Sequence, residues 1–371
     1  MRILAITPYY APEGGGLERY ARAILSALAL RGHEVEALSF TRTGLGDAKD
    51  GGVHVRRTRA SLCLGNTPIH AGFPVLVARR IRESRPDLVV AHTPVPFPAE
   101  MAYLAARRAG VPFVATYHAG KLRGSSPGLD ALAALDRATL ERGMIAGATG
   151  LIAVGPYVRD HALARERQRV ELVPPGVDTD WFNSPNPAHG RGILFAAPLS
   201  RSYRWKGADV LLRAFRRVRK RLPDATLTLV GGGDRLDEFR RLATPSSGLR
   251  VLGRVDEPTL RDEYRRAAVV ALPSTTDAES FGMALAEANA CGRPVVASDV
   301  GGMPDFVRPG DNGLLARPGD EHDLAAKLVE VLADPEAAAG MGERGRLRVT
   351  RDHAWDALAI RTERIFERAV A

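Results

Sequence analysis

Short apolar runs alternate with longer helical patterns from the start of the chain. Ile3-Leu4-Ala5-Ile6 precedes the amphipathic stretch Leu17 to Leu30, which is followed by Val35-Glu36-Ala37-Leu38, and later by Leu88-Val89-Val90-Ala91, Phe113-Val114-Ala115-Thr116 and Leu151-Ile152-Ala153-Val154. Brief apolar runs separated by helix-length segments predict parallel strands joined by crossover helices. The rhythm breaks at Val173-Pro174-Pro175-Gly176-Val177 and restarts. Strands are predicted at Ile193 to Ala196, Leu227 to Val230, Arg250 to Leu252, Val269 to Leu272 and Pro294 to Ala297, with helices over Ala208 to Arg221 and Met283 to Ala290. In the first of these helices Val210, Leu211, Ala214, Phe215 and Val218 share one face, so its arginines are read as facing solvent. Trp355 to Val370 predicts a closing helix. The pattern as a whole predicts two doubly wound α/β halves joined around residues 175 to 190.

A chain of 371 residues is long enough for two such domains. Its composition is that of a globular protein, with 45% apolar and 26% charged residues. The charge of +9, from 52 Lys and Arg against 43 Asp and Glu, suits nucleic acid, an anionic membrane surface or phosphorylated small molecules. Cys63 and Cys291 lie far apart with no ligand-spaced partners, which argues against a disulfide framework or zinc site and fits a reducing cytoplasm. No signal peptide and no window of about 18 uninterrupted apolar residues is visible, so any membrane association is expected to be peripheral, at the inner face.

Three segments carry candidate chemistry. Pro12-Glu13-Gly14-Gly15-Gly16-Leu17-Glu18 lies between the first predicted strand and helix, where glycines and a helix N-terminus can receive an anion. Its spacing is neither G-x-G-x-x-G nor a P-loop, so a tight turn and a phosphate cradle both stay open. Trp205-Lys206-Gly207, with Arg201 and Arg204 just upstream, follows the strand that opens the second half. A lysine there can neutralise a leaving diphosphate, or can simply be surface charge. Glu279-Ser280-Phe281-Gly282-Met283-Ala284-Leu285-Ala286-Glu287 is the most specific segment. Its two carboxylates, with seven residues between them that include a glycine turn and a helix start, can grip different parts of one ligand.

With these segments in view, the chain resembles, over nearly its whole length, the retaining GT-B glycosyltransferases called family 4. The resemblance implies two Rossmann-like domains facing each other across a cleft. The first is an acceptor domain over 1–180, onto which the closing helix 355–371 can also pack; the second is a nucleotide-sugar donor domain over 190–352. It implies that Gly15 and Gly16 line the diphosphate site and that Lys206 contacts the same phosphates. Glu279 is implied near the donor sugar and Glu287 on the ribose hydroxyls, with the backbone of Phe281, Gly282, Met283 and Ala284 against sugar and phosphate. His118, in Thr116-Tyr117-His118-Ala119-Gly120, matches a histidine beside the donor sugar, which makes a catalytic or sugar-positioning role the expectation. Gly301-Gly302-Met303-Pro304-Asp305 and Gly310-Asp311-Asn312-Gly313 also match family segments and are read as turns.

The activity so implied is retaining transfer of a hexose from a GDP- or UDP-sugar to a sugar or lipid-linked acceptor, in cell-envelope, polysaccharide or glycolipid synthesis, with no cofactor and no metal. One departure is that Ala197-Pro198-Leu199 stands where many relatives have Gly-Arg-Leu. Arg201, rather than Arg204, is expected to supply the missing guanidinium, whose paired donors suit phosphate oxygens. Asp178-Thr179-Asp180 looks like a metal triplet but lies in the expected interdomain linker and does not end a lone nucleotide-binding strand, so metal binding there is not expected. The basic segment Val75 to Arg82, with Arg79, Arg80 and Arg82, is either a solvated helix face or a docking surface for anionic lipid. Two rival readings are a sugar-nucleotide epimerase or hydrolase and a basic nucleic-acid-binding protein. The second lacks a recognisable module and has only 6% aromatic residues for base stacking, so nucleic acid is not expected as a partner.

Overall fold

The computed structural model describes residues 1–64, 67–119, 134–184 and 190–371. Gly120 of the histidine segment and residues 185–189 of the expected join lie outside these residues. The chain divides into two compact units, Met1–Gly176 with Trp355–Ala371, and Val177–Ala354.

The first unit contains β1 (Arg2–Tyr9), α1 (Gly16–Leu30), β2 (Glu34–Thr41), β3 (Ala48–Asp50), β4 (Val53–Arg59), β5 (Leu62–Leu64), β6 (Thr67–Ile69), α2 (Phe73–Ser84), β7 (Leu88–Thr93), α3 (Pro98–Ala109), β8 (Phe113–Tyr117), α4 (Arg142–Gly147), β9 (Gly150–Ala153), α5 (Pro156–Ala162) and β10 (Val170–Leu172). Among the described residues its main sheet runs β10-β9-β8-β7-β1-β2-β4-β3, parallel except for β3 on β4. Residues Ile3 to Tyr9 and the whole of β7 are buried, which is why they read as unbroken apolar runs: helices cover both faces of a parallel sheet. The strand order reverses at β1, with β2 on one side and β7 on the other, so the loops after β1 and β7 diverge and leave a crevice.

The second unit contains β11 (Gly192–Ala196), α6 (Ala208–Arg221), β12 (Thr226–Val230), α7 (Leu236–Leu242), β13 (Leu249–Gly253), α8 (Glu257–Arg266), β14 (Val269–Leu272), α9 (Met283–Ala290), β15 (Val295–Ser298), α10 (Met303–Phe306), β16 (Gly313–Ala316), α11 (Glu321–Ala333) and α12 (Pro335–Asp352). Its parallel sheet is ordered β13-β12-β11-β14-β15-β16, with the reversal between β11 and β14. In α6 the five positions read as an apolar stripe are all buried, while Arg213 and Arg217 reach outward to Glu321. The last helix, α13 (Trp355–Val370), returns to the first unit and packs on α1.

The join falls at the start of the segment 175 to 190. The chain enters the second unit at Val177, ahead of the expected boundary at 180, because the Val177 amide donates to the His353 carbonyl at 2.8 Å and the residue bridges Ala354. The segment read as a turn at 301–305 also holds the short helix α10, and Gly313 opens β16.

Helix α12 packs closely on α9 through glycines. A Cβ on Gly342 would overlap the Gly292 carbonyl oxygen, whereas one on Gly340, in the same helix, would meet only the tip of the Arg344 side chain, at 3.2 Å. Alanine is favoured over glycine in a helix by about 1 kcal/mol, but overpacking against backbone costs about 1–3 kcal/mol. Gly340→Ala is therefore expected to raise the thermal midpoint by a few degrees and Gly342→Ala to lower it. Parallel shifts in scanning calorimetry would contradict this packing account.

Candidate active site

In the first unit the glycine-rich loop is fastened to the end of β2. The Glu13 carboxylate accepts from Thr41 Oγ1 and from the Arg42 and Thr43 amides, each at 2.9 Å. Partial burial would raise its pKa, but these donors and the Thr43 hydroxyl pull it down to about 2. Gly14, at φ +103°, has no Cβ to block Glu18, whose side chain folds back over it. Glu18 Oε2 accepts the Gly15 amide at 2.6 Å and caps α1. Burial raises the pKa of this carboxyl, while the Gly15 bond acts the other way. The amide that the family resemblance assigns to diphosphate is thus held by a carboxylate of the chain itself. Gly16, the first residue of α1, has no atom crowding its Cβ position.

His118 directly follows β8, and its Nε2 lies 2.9 Å from Nδ1 of His92, in β7. The Tyr20 ring stands edge-on to both, at 4.7 Å from His118 and 6.0 Å from His92. Burial lowers both pKa values, His92 to about 3 and His118 well below its ordinary value with a further push from His92, so both rings are neutral near pH 7.

In the second unit the loops leaving β11 and β14 meet. Residues Arg201–Lys206 form a short 3₁₀ segment ended by Gly207 at φ +84°, where a Cβ would overlap the Pro273 carbonyl. The Thr275 amide donates to the Trp205 carbonyl at 2.7 Å. Lys206 Nζ lies 2.5 Å from Glu279 Oε2 and 4.5 Å from the centre of the Trp205 ring, and the Ser274 hydroxyl donates to the same Glu279 oxygen at 3.3 Å. Gly301 and Gly302 do more than turn the chain: the Gly302 amide donates to the Glu279 carbonyl at 2.8 Å, and a side chain at either glycine would strike the Glu279–Ser280 backbone.

Phe281 is buried, and Gly282, at φ +83°, caps α9 and leaves Met283 and Ala284 half-exposed at its first turn. Glu287 sits just over one turn further along, buried, accepting from the Tyr264 hydroxyl at 2.6 Å. Arg204 pairs with Asp209 at 3.3 Å, whereas Arg201, also exposed, pairs its guanidinium with no carboxylate among the described residues. Asp209 is gripped as well by the buried Arg235, at 2.7 Å.

The structure therefore brings Lys206 and Glu279 together, with Glu287 on the helix that follows. Gly15, Gly16 and His118 belong to the other unit. Sequence reasoning passed over His92, Tyr264, Ser274 and the capping role of Glu18; only Glu18, three residues after Gly15, carried a local signal. The Asp178 carboxylate accepts from the amides of Asp180, at 3.1 Å, and Trp181, at 2.8 Å, closing a turn. On α2, Arg79 pairs with Glu83 and Arg80 with Glu83 and Glu36, leaving that surface less cationic than its sequence suggests.

Comparison with known proteins agrees with this architecture. A family model described as Glycosyltransferase Family 4 matches residues 14–181, and one described as Glycosyl transferases group 1 matches residues 190–334. The phosphatidyl-myo-inositol mannosyltransferase of Mycolicibacterium smegmatis is 30% identical, over 99% of this chain and 94% of its own. Among solved structures, sucrose-phosphate synthase from Thermosynechococcus elongatus superposes with a TM-score of 0.77 at 22% identity, covering 99% of this chain and 98% of its own. Anabaena HepE, solved with UDP, gives 0.76 at 21%, covering 99% and 100%. With family models spanning both units and a full-length relative at this identity, the chain belongs to glycosyltransferase family 4 and is a glycosyltransferase of the GT-B fold.

Proposed function

We propose that this glycosyltransferase is a retaining, metal-independent hexosyltransferase. It takes a sugar from a GDP- or UDP-linked donor and passes it to a sugar or lipid-linked acceptor in the synthesis of cell-envelope, polysaccharide or glycolipid material. The observation that carries the reading is the Lys206–Glu279 pair, held beside the N-terminus of α9 at the reversal of the second sheet. The name of the M. smegmatis relative, a mannosyltransferase acting on phosphatidyl-myo-inositol, supports a lipid-linked acceptor, and the UDP bound to HepE supports a nucleotide diphosphate donor.

In this mechanism Lys206 and the start of α9 stabilise the charge that grows on the departing diphosphate. A lysine ammonium has three donors, so Lys206 can keep its bond to Glu279 and still reach phosphate oxygens. Arg201 adds a guanidinium, and the backbone from Phe281 to Ala284 approaches sugar and phosphate. Glu287, oriented by Tyr264, takes the ribose hydroxyls. Glu279 and His118 act at the transferred sugar, with the acceptor attacking the face that the phosphate leaves. Gly15 and Gly16 offer amides to the diphosphate once Glu18 yields its place on Gly15.

In this reading the enzyme works in the cytoplasm, and any membrane association is peripheral, at the inner face, resting on the α2 arginines and the overall positive charge. No described helix is long and apolar enough to cross a membrane.

Three outcomes test this reading. Glu287→Ala is expected to weaken binding of donor and free nucleotide diphosphate alike, by about 1.5–3 kcal/mol. Glu279→Ala, which releases Lys206, and His118→Ala are expected to depress kcat while affinity for the bare nucleotide holds or, for Glu279→Ala, rises. Isothermal titration beside steady-state kinetics decides; equal loss of nucleotide affinity in both glutamate variants, or full turnover in His118→Ala, would overturn the roles. Transfer is expected to persist in EDTA. Activity abolished by the chelator and restored by Mn²⁺ would refute metal independence and return attention to Asp178 and Asp180. Binding to anionic vesicles is expected at low salt and should vanish at 1 M, where the screening length is about 3 Å. Salt-resistant binding, or none at low salt, would count against the α2 surface.

A further inference from the structure

The carboxyl ends of the first sheet carry a rank of polar side chains that the proposed chemistry leaves unused. Thr7 of β1 lies opposite Ser39 of β2; one position beyond the Ile6–Ala91 pair, His92 of β7 joins the same rank and lies opposite Thr116 of β8. Neighbouring positions of parallel strands point to one face, so these four side chains form a row beneath His118, two residues beyond Thr116. All are buried. Thr7 Oγ1, Ser39 Oγ and His92 Nε2 have no hydrogen-bond partner among the described residues.

A hydrogen bond between two neutral imidazoles needs one N–H and one bare nitrogen. If His118 Nε2 carried the proton, His92 would bear its own on Nε2, a buried donor with nothing to receive it. Orphaned buried donors are rarer than under-satisfied acceptors. In the reverse arrangement His92 Nδ1 donates to His118 Nε2, and the bare His92 Nε2 is left an unbonded acceptor, the less costly of the two orphans. His118 then carries its proton on Nδ1, the ring nitrogen not engaged with His92.

We propose that His92 is a positioning residue that fixes the tautomer and orientation of His118, so that His118 presents an Nδ1–H donor to an oxygen of the bound sugar and does not act as a base. The inference rests on the assignment of His118 to the sugar. Tyr20, edge-on to both rings, holds their planes, and its hydroxyl is anchored on the Val173 carbonyl at 3.2 Å.

Long-range ¹H–¹⁵N spectra of the full chain, with the two rings assigned through His92→Asn and His118→Asn, test the tautomer directly. The expected result is His118 protonated on Nδ1 in the unaltered protein and shifted toward the Nε2–H form in His92→Phe. In kinetics, His92→Phe should lower kcat on the order of tenfold, the scale set by loss of a partner that orients a working histidine, with the donor KM little changed. His92→Asn, whose amide can replace the Nδ1 donor, should recover most of that loss. His118 protonated on Nε2 in the unaltered protein, or full kcat in His92→Phe, would overturn the proposal. If His92→Phe does not fold, the spectrum of the unaltered protein decides. Full turnover in His118→Ala would instead refute the sugar role of His118, and the spectra would still report separately on whether His92 sets its tautomer.

Discussion

The Lys206–Glu279 pair of the second unit depends on the parallel pairing of β11 with β14. Ile193 lies beside Val269 and Leu194 beside Val270, so two loops that leave in opposite directions begin side by side. That backbone ladder, together with the bond from the Thr275 amide to the Trp205 carbonyl, brings Lys206 within reach of Glu279 across 73 residues of sequence. The ion pair itself is weak evidence of stability, because removing two charges from water offsets much of their attraction. Its significance is geometric. A lysine on a solvated loop would wander, whereas this one is held by a carboxylate, an indole and a glycine whose conformation no other residue adopts comfortably.

The same device occurs in the first unit with a different donor. There the positive end of α1 is met by Glu18, as Lys206 is met by Glu279. In both places a carboxylate of the chain compensates the positive element that the proposed mechanism turns toward an anionic ligand; Glu18 would yield its place there, whereas Lys206 would keep Glu279 and use its remaining donors. Part of the electrostatic attraction to the ligand is offset in advance, and the elements keep their shape meanwhile. The buried histidines follow the opposite rule: with no carboxylate paired to them among the described residues, burial leaves both uncharged, and their mutual hydrogen bond becomes a matter of which nitrogen holds the proton.

Much of the architecture was legible in the chain. The helices over 208–221, 283–290 and 355–370 have the bounds their patterns suggested, and most of the buried strands announced themselves as apolar runs. β4 was hidden because Val53 and Val55 alone are buried in a strand otherwise written in polar residues. Gly340, Gly342 and Gly345 disguised α12, in which Gly342 and Gly345 serve close packing. Lys206, Glu279 and Glu287 stood out through spacing and resemblance. Their supports did not, because the contacts of His92 with His118, and of Tyr264 with Glu287, join residues 26 and 23 positions apart and depend on register and helix packing. Arg201 was preferred to Arg204 from the sequence, but the Asp209 that pairs with both Arg204 and Arg235 could not be read from neighbouring letters.

The route of the chain between the units has a further consequence. Unit two occupies Val177–Ala354, and its first and last residues are bridged to each other, while Gly176 of unit one lies so close to the Trp355 ring that a side chain there would collide with it. The second unit is therefore a closed insertion with adjoining ends, threaded into a fold that resumes where it left off. Its excision leaves both large sheets whole, since among the described residues they share no strand. A short linker from Gly176 to Trp355 would restore a continuous first unit, and the excised segment would carry its sheet, its lysine and both glutamates as a self-contained module. Circular permutation with new ends in a surface loop of the second unit would follow the same logic, because the covalent path there is already almost a ring.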